Sequence, residues 1–128
     1  LLTTCQRHKI VPDLIEEQNP SLLHAKVGAT LASSRFGIVD RSVLQAVSVH
    51  TTGMAKMSTL DKVLFVADYC EPNRSYPAIT EVRELATVDL NRAAFEVVRQ
   101  KLERQLVAKC MIHPQTVNTF NDLLTQIS

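Results

Sequence analysis

Apolar positions recur at helical spacing along this chain of 128 residues, and the strict alternation that is typical of strands is weak throughout. Asn19-Pro20 places a capping residue before a proline and Gly37 follows as a stop signal, which predicts a helix over about residues 20–36. No period of about 20 to 50 residues repeats, and glycine is scarce, so repeat folds and glycine-rich phosphate loops lack support. The pattern predicts a single all-α domain, a compact helical bundle.

Capping residues mark two shorter helices after residue 36. Asp40 can cap a helix that ends at His50, where Thr51-Thr52-Gly53 breaks the pattern. Ser58 and Asp61 then resemble a capping box, which predicts the start of a further helix. The apolar stripe of that helix is predicted from four residues at helical spacing, namely Leu60, Val63, Leu64 and Ala67.

The second half of the chain alternates loops and helices. Asp68 lies near the end of the helix with this stripe, and a turn-rich loop is predicted over about residues 70–79. Thr80 can cap a short helix, Asp89 precedes a long helix, and His113-Pro114 opens a last helix. The predicted architecture therefore contains helices throughout.

Composition limits the classes of partner. Lys and Arg number 14 against 13 Asp and Glu, so the chain lacks the broad basic field that binding to a nucleic acid polymer requires. No apolar run reaches the roughly 20 residues that span a bilayer, so no membrane partner is predicted. The cysteines Cys5, Cys70 and Cys110 are odd in number and widely spaced, which indicates neither a disulfide framework nor a zinc site and favours the reducing cytoplasm. Any phosphate-bearing partner is expected to be small.

Three side chains stand beside apolar faces that must converge on one core: His24, His50 and Asp68. Imidazole and carboxylate groups can bind a transition metal, and a bound metal can turn water into a nucleophile at neutral pH. The alternative, which the spacing alone favours, is two satisfied, partly buried histidines and a solvated acid. The guanidinium of Arg74 could grip a phosphate chain, but an arginine in such a loop is also commonly solvated.

Four segments together resemble the YqeK-type HD-domain family: LLHAKVGA at residues 22–29, VHTTG at 49–53, FVADYCEPNR at 65–74 and MIHPQT at 111–116. The resemblance extends over about residues 12–124. Members of this family are bacterial metal-dependent phosphohydrolases that cleave diadenosine tetraphosphate symmetrically into two ADP. The resemblance thus implies an all-α, HD-domain-like helical bundle with a dinucleoside polyphosphate or ADP as its partner.

The resemblance also implies a metal centre. The family uses an early His, an adjacent His-Asp pair and a later Asp, and two further histidines line the same cavity. Asp68 resembles the later Asp, and His24 and His50 resemble the further histidines, so these three are the predicted catalytic and metal-site residues. The implied cofactor is a divalent metal, namely iron, although a mixed imidazole and carboxylate set accepts other divalent ions.

Substrate contacts are implied in the same motifs. They fall on Leu23, His24, Ala25, Lys26, His50, Thr51, Arg74, His113, Pro114, Gln115 and Thr116. The free backbone N–H groups at the start of the last helix could accept phosphate, but an ordinary helix cap explains these residues equally well. Thr51 could instead bond a loop carbonyl, and Tyr69 and Tyr76 could stack on a base or simply pack.

The early His and the His-Asp pair of the family have no counterpart here, because His8 precedes Lys9 and not Asp. The chain also begins with Leu1 and not Met, so residues 1–128 are expected to be a single HD-type domain without the N-terminal helices that carry those motifs. After Gly53 the family's Arg-Pro-Gly is replaced by Met-Ala-Lys, and Lys26 stands where proline is common. The alternatives to an enzyme are a catalytically incomplete nucleotide-binding fragment and a purely structural bundle, and a homodimer is left open.

Overall fold

The computed structural model describes residues 2–76 and 78–128, without the side chains of Leu2 and Ser21. Leu1 lies outside the described residues, and so does Pro77, which falls in the predicted turn-rich loop. Within the described ranges the chain forms helices and no strand, which confirms the predicted all-α class. The eight α-helices of these ranges are α1 Leu2–Arg7, α2 Leu14–Gln18, α3 His24–Phe36, α4 Arg41–Val49, α5 Thr59–Tyr69, α6 Ile79–Ala86, α7 Leu90–Val107 and α8 Pro114–Ile127, with a 3-10 helix over Pro20–Leu23 before α3.

Side-chain caps begin four of these helices where the sequence predicts them. Asp40 caps α4 and Asp89 caps α7, each by accepting a hydrogen bond from a backbone N–H of the first turn. Ser58 and Asp61 form a reciprocal capping box at α5, and His113 caps α8 directly before its first-turn proline. These short-range bonds satisfy backbone donors that a helix leaves free at its start.

The start of α6 differs from the prediction. The N-cap of this helix is Ala78, which makes no side-chain cap, so Thr80 is not the capping residue. The backbone N–H of Ile79 donates to the carbonyl of Tyr76 at 3.1 Å, and the Ile79 side chain is buried in the core. Burial of Ile79 therefore sets the beginning of α6, and the polar side chain of Thr80 does not.

The main core lies between α5, α6, α7 and α8. Its fully or almost fully buried members are Met57, Phe65, Val66, Tyr69, Ile79, Val82, Ala93, Ala94, Val97, Val98 and Leu123. A smaller cluster of Cys5, Leu23 and Val27 joins α1 to the start of α3. The chain therefore has a four-helix body to which α3 and α4 attach through the contacts between α4 and α5.

The stripe predicted for α5 does not form its buried face. Leu60 and Val63 are 42% and 47% exposed, whereas Phe65, Val66 and Tyr69 are buried. Because α5 has apolar residues on more than one side, periodicity alone could not decide between its faces, and the larger aromatic side chains pack against α7. Among the described residues, no helix has both the length and the apolar character needed to cross a membrane.

Candidate active site

The two histidines of the central motifs meet where α3 begins and α4 ends. His24 is the first residue of α3, directly after the buried Leu23, and His50 is the C-cap of α4. Their Nε2 atoms are 2.9 Å apart, and the rings meet edge to face with centroids 4.8 Å apart. The packing of α3 against α4 thus brings together two imidazoles that are 26 residues apart in sequence.

The hydrogen bonds of His50 determine which nitrogen of each neutral ring carries its proton. Nδ1 of His50 lies 2.5 Å from the carbonyl oxygen of Val47, which can only accept, so Nδ1 is the protonated nitrogen. In a neutral His50 ring, Nε2 then presents its lone pair, and Nε2 of His24 must donate to it. The pair therefore holds one proton between the rings, and this proton resides on Nε2 of His24.

Asp68 and Arg74 lie on the wall of a cavity of about 460 Å³ that His24 also lines. Asp68 is in the last turn of α5, and a guanidinium nitrogen of Arg74, in the loop after α5, is 3.7 Å from its Oδ1. A guanidinium nitrogen of Arg83 holds this loop by donating to three of its carbonyls at 3.2–3.3 Å. The loop that carries Arg74 is therefore anchored to α6.

The charges around this cavity favour an anion. Arg74, Lys101 and Arg104 line it together with one carboxylate, that of Asp68, which leaves an excess of positive charge. The guanidinium carbon of Arg104 lies 4.0 Å from the ring centroid of Tyr76, and its Nη1 donates to the hydroxyl of Tyr69 at 3.1 Å. Such a concave, positively charged surface suits a phosphate chain.

Side chains of α7 and α8 bond each of the three carbonyls in the turn that follows His50. The Nζ of Lys101 donates to the carbonyl of Thr51 at 2.7 Å. The hydroxyl of Thr119 donates to the carbonyl of Thr52 at 2.9 Å, and the side-chain amide of Gln115 donates to that of Gly53 at 2.8 Å. Helices α7 and α8 therefore hold in place the turn that contains Thr51 and directly follows His50.

Several of these supporting residues were missed from the sequence. They are Arg83, Lys101, Arg104 and Thr119. Lys101 could have been found from the sequence. It lies seven residues after Ala94 and three after Val98, so it continues the buried stripe of α7. A lysine at a core position of a helix is unusual and points to a specific partner.

A second cavity, of about 200 Å³, adjoins the first. Lys26, His113 and Gln115 line it, and Thr51 borders both cavities. Most of the predicted substrate-binding side chains thus surround two neighbouring hollows. Five others lie differently: Leu23, Ala25 and Thr116 are buried, Pro114 is exposed at the start of α8, and His50 bonds His24 but lines neither cavity.

Buried side chains cannot reach a ligand in either hollow, so Leu23, Ala25 and Thr116 could contribute only backbone groups. The side chains of Tyr69 and Cys5 are likewise packed in the interior. Burial raises the pKa of the Tyr69 hydroxyl against the opposing charge of Arg104, and that hydroxyl donates to Gln100 at 2.5 Å. The packing role considered for Tyr69 therefore describes its environment better than base stacking does.

The donor set suits a divalent metal in its chemistry, since it combines imidazoles with a carboxylate. His24 and Asp68 line the same cavity, but their ligand atoms and those of His50 do not all lie within 4.8 Å of one another; among the described residues only Asp13, Glu16 and His113 do so. Those three are already engaged. Asp13 and Glu16 cap α2, and Nε2 of His113 bonds Asp13 at 2.6 Å.

Comparison with known proteins gives the family. The chain is 38% identical over 115 residues to the symmetrical bis(5'-nucleosyl)-tetraphosphatase of Bacillus subtilis, covering 90% of this chain and 62% of that protein. It is 39% identical over 125 residues to the protein of the same name from Halalkalibacterium halodurans, covering 98% of this chain and 67% of that protein. The chain thus spans about two thirds of the length of these relatives. No protein-family model matches the chain.

The fold agrees with this relationship. The crystal structure of a predicted HD superfamily hydrolase involved in NAD metabolism, from Clostridium acetobutylicum, matches with a TM-score of 0.90 and 31% identity, over 98% of this chain and 66% of that one. The family resemblance seen in the four sequence motifs, and the HD-domain-like bundle that it implies, are thereby confirmed. The chain belongs to the family of symmetrical bis(5'-nucleosyl)-tetraphosphatases, which has the all-α fold of the HD superfamily hydrolases.

Proposed function

We propose that this protein is a metal-dependent phosphohydrolase that cleaves diadenosine tetraphosphate symmetrically into two ADP. The observation that carries the proposal is the positively charged cavity that His24, Asp68 and Arg74 line together. A tetraphosphate chain carries several negative charges, and this cavity offers it cations, a hydrogen-bond donor and a metal-ligating carboxylate in one place. The names of the bacterial relatives agree with this substrate.

The charged side chains would bind and orient the substrate. Arg74 presents a planar fork of N–H donors that matches two phosphate oxygens, and its loop is held in place by Arg83. The Nε2–H group of His24, which bonds Nε2 of His50 in this structure, could instead donate a hydrogen bond to a phosphate oxygen on which negative charge develops. His24, His50 and Asp68 therefore remain the proposed catalytic residues.

The HD hydrolase fold implies a divalent metal, and we propose iron. When bound, such an ion would polarise a phosphoryl oxygen and lower the pKa of a water molecule. Asp68 would hold it, with His24 and His50 at its edge. Because Asp68 and two imidazoles hold an ion only loosely, the family's early His and His-Asp pair would be needed to complete the centre.

The second candidate is a nucleotide-binding chain without turnover. It is favoured by one observation, namely that the ligand atoms of His24, His50 and Asp68 do not form a compact set. In that case the two cavities would bind ADP and release it unchanged. In either case we propose one HD-type domain over residues 1–128 and a reducing cytoplasmic location. A homodimer remains a prediction that a mass measurement in solution would test.

Product analysis separates the two candidates. The natural protein in its longest form, purified with its metal, is incubated with diadenosine tetraphosphate, and the products are resolved by ion-exchange chromatography. ADP is expected as the single nucleotide product. ATP together with AMP would contradict the symmetrical cleavage, and ADP binding without any cleavage would favour the non-catalytic alternative. Metal analysis of the same preparation tests the assignment of iron.

A further inference from the structure

Lys101 is a partly buried lysine that adds to the positive charge of the larger cavity but to which the proposed function assigns no contact of its own. It projects from α7 to the turn after His50, where its Nζ donates to the carbonyl of Thr51 at 2.7 Å. The same nitrogen lies 4.8 Å from the ring centroid of Phe65 and lines the larger cavity together with Asp68. An ammonium group is thus held between the core and the cavity.

This placement is unfavourable for a charge. Burial lowers the pKa of Lys101 to about 8, although the negative charge of Asp68 opposes the shift. Among the described residues, no carboxylate forms an ion pair with Lys101. A buried cation without an ion pair normally destabilises a fold, and an apolar residue of similar length would pack in its place. The presence of lysine therefore calls for a reason other than stability.

Holding the turn does not require a charge. The two carbonyls after Thr51 are bonded by the neutral side chains of Thr119 and Gln115. Lys101 alone supplies a cation, and it does so on the side of the turn that lines the larger cavity. An ammonium has three N–H donors, and within the described parts of the chain Thr51 is its one hydrogen-bond acceptor. Two donors thus remain for a ligand.

We infer that Lys101 is a phosphate-binding residue, fixed by the Thr51 carbonyl and the Phe65 ring so that its remaining N–H groups meet the phosphate chain between His24 and Arg74. The inference rests on the proposed function, because it takes the anion to be the polyphosphate of a nucleotide. A cation that is held in place before the substrate arrives loses little side-chain freedom on binding, which makes its contact strong for a lysine. Lys101, Arg74 and Arg104 would then surround the anion.

Calorimetric titration with ADP and with adenosine tests this role in the chain as it stands. Lys101→Met keeps the length of the side chain and removes the charge, and it is expected to weaken ADP binding about 10- to 100-fold. Adenosine has no phosphate, so its affinity is expected to stay unchanged. Lys62→Met is the matched control, because Lys62 bonds Asn91 and Gln126 and lines neither cavity. It should bind both ligands as the unmodified chain does.

Three outcomes would overturn the assignment. An equal loss of ADP and adenosine affinity in Lys101→Met would show that Lys101 only positions the turn. Full retention of ADP affinity would show that it makes no phosphate contact. A loss in Lys62→Met as large as in Lys101→Met would show a general effect of net charge.

If the unmodified chain does not bind ADP, inorganic tripolyphosphate replaces it as the probe. Binding of tripolyphosphate that Lys101→Met loses would support the phosphate site while the nucleotide function fails. Absence of binding by the unmodified chain to either probe would overturn both.

Lys101→Met is expected to unfold at no lower urea concentration than the unmodified chain, since a buried charge is replaced by an apolar group.

A measurement on the unmodified chain does not depend on whether the variant folds. In the unmodified chain, the NMR signal of the Lys101 Cε atom is expected to shift on addition of ADP or tripolyphosphate, while that of Lys62 stays in place. An unshifted Lys101 signal at saturating probe would contradict the proposal.

Discussion

At the residue scale, the contact between His24 and His50 orients the imidazole of His24, which lines the larger cavity. The Nδ1 bond of His50 to the carbonyl of Val47 sets the proton positions of both neutral rings, so the N–H donor between them lies on Nε2 of His24. Asp68 faces the same cavity from another helix and is 3.7 Å from Arg74. The predicted catalytic and metal-binding roles of these residues stay predictions, because the ligand atoms of His24, His50 and Asp68 do not form one compact set.

Replacing Asp68 by asparagine tests its role as a metal ligand. Asp68→Asn preserves shape but removes the negative charge, so the natural protein in its longest form is expected to lose its metal and at least about 100-fold in kcat for ADP formation. Metal content and ADP production are measured on the same sample. Asp40→Asn is the control, because asparagine caps a helix as well as aspartate does. Unchanged metal content in Asp68→Asn would remove Asp68 from the centre.

At the scale of elements, the turn over residues 50–53 is where three helices meet. It ends α4, and side chains from α7 and α8 bond its carbonyls. Gly53 adopts a left-handed conformation with φ of 68°, and a Cβ atom there would lie 2.6 Å from Cγ2 of Thr119. The glycine is therefore needed both for its backbone angle and for the close approach of α8.

Two glycine variants separate these contributions. Gly37→Ala places alanine at φ of 66° with no atom within 4 Å of the new Cβ, so it is expected to lower the free energy of unfolding by about 1 kcal/mol through backbone strain alone. Gly53→Ala adds the collision with Thr119 and is expected to lower it by more than about 2 kcal/mol. Urea unfolding followed by circular dichroism measures both. Equal losses of unfolding free energy in the two variants would mean that α8 moves away from the turn without destabilising the fold.

At the scale of the whole molecule, both cavities lie where α3 and α4 meet the four-helix body. Thr51 borders both cavities, and the residues around it come from α3, α5, α7 and the segment before α8.

Ion pairs and caps that involve carboxylates are spread over this structure. Hydrogen bonds from Arg99 hold the pKa of Glu96 below its usual range, and those from Ser42 do the same for Asp40.

These shifts predict how stability depends on pH. The carboxyl groups of Glu96 and Asp40 release their protons more readily in the folded than in the unfolded chain, so the unfolded chain binds more protons in acid. Their contribution is complete well above the usual Glu value of 4.5 and is lost as pH falls through their lower folded values. The urea midpoint is thus expected to be level between about pH 7 and 6 and to fall below about pH 4.5.

Glu96→Gln isolates one part of this dependence. Without an ionisable group at position 96, the decline of the urea midpoint in acid is expected to be shallower than in the unmodified chain. Glu84→Gln serves as the control, because the Glu84 side chain is exposed. Identical acid profiles for Glu96→Gln and the unmodified chain would show that Glu96 contributes nothing to the pH dependence.

The sequence by itself determined the all-α class, the caps of α4, α5, α7 and α8 and the residue types of the site, but not the start of α6. Caps at Asp40 and Ser58 and the break at Gly53 depend on bonds and angles within a few residues, which a local pattern records. The four motifs identified the family for the same reason, because each is a short run of residues that the sequence shows directly. None of this requires knowledge of which helices touch.

Only the tertiary structure decided which faces are buried and which side chains reach the cavity. Val63 is exposed on α5 and Lys101 faces the turn because helices pack on one side and not another, which periodicity does not specify. The contact of Lys101 with Thr51 joins residues 50 apart, and that of His113 with Asp13 joins residues 100 apart. Such contacts depend on how the whole core is buried, and the residues of a short segment do not determine that free energy.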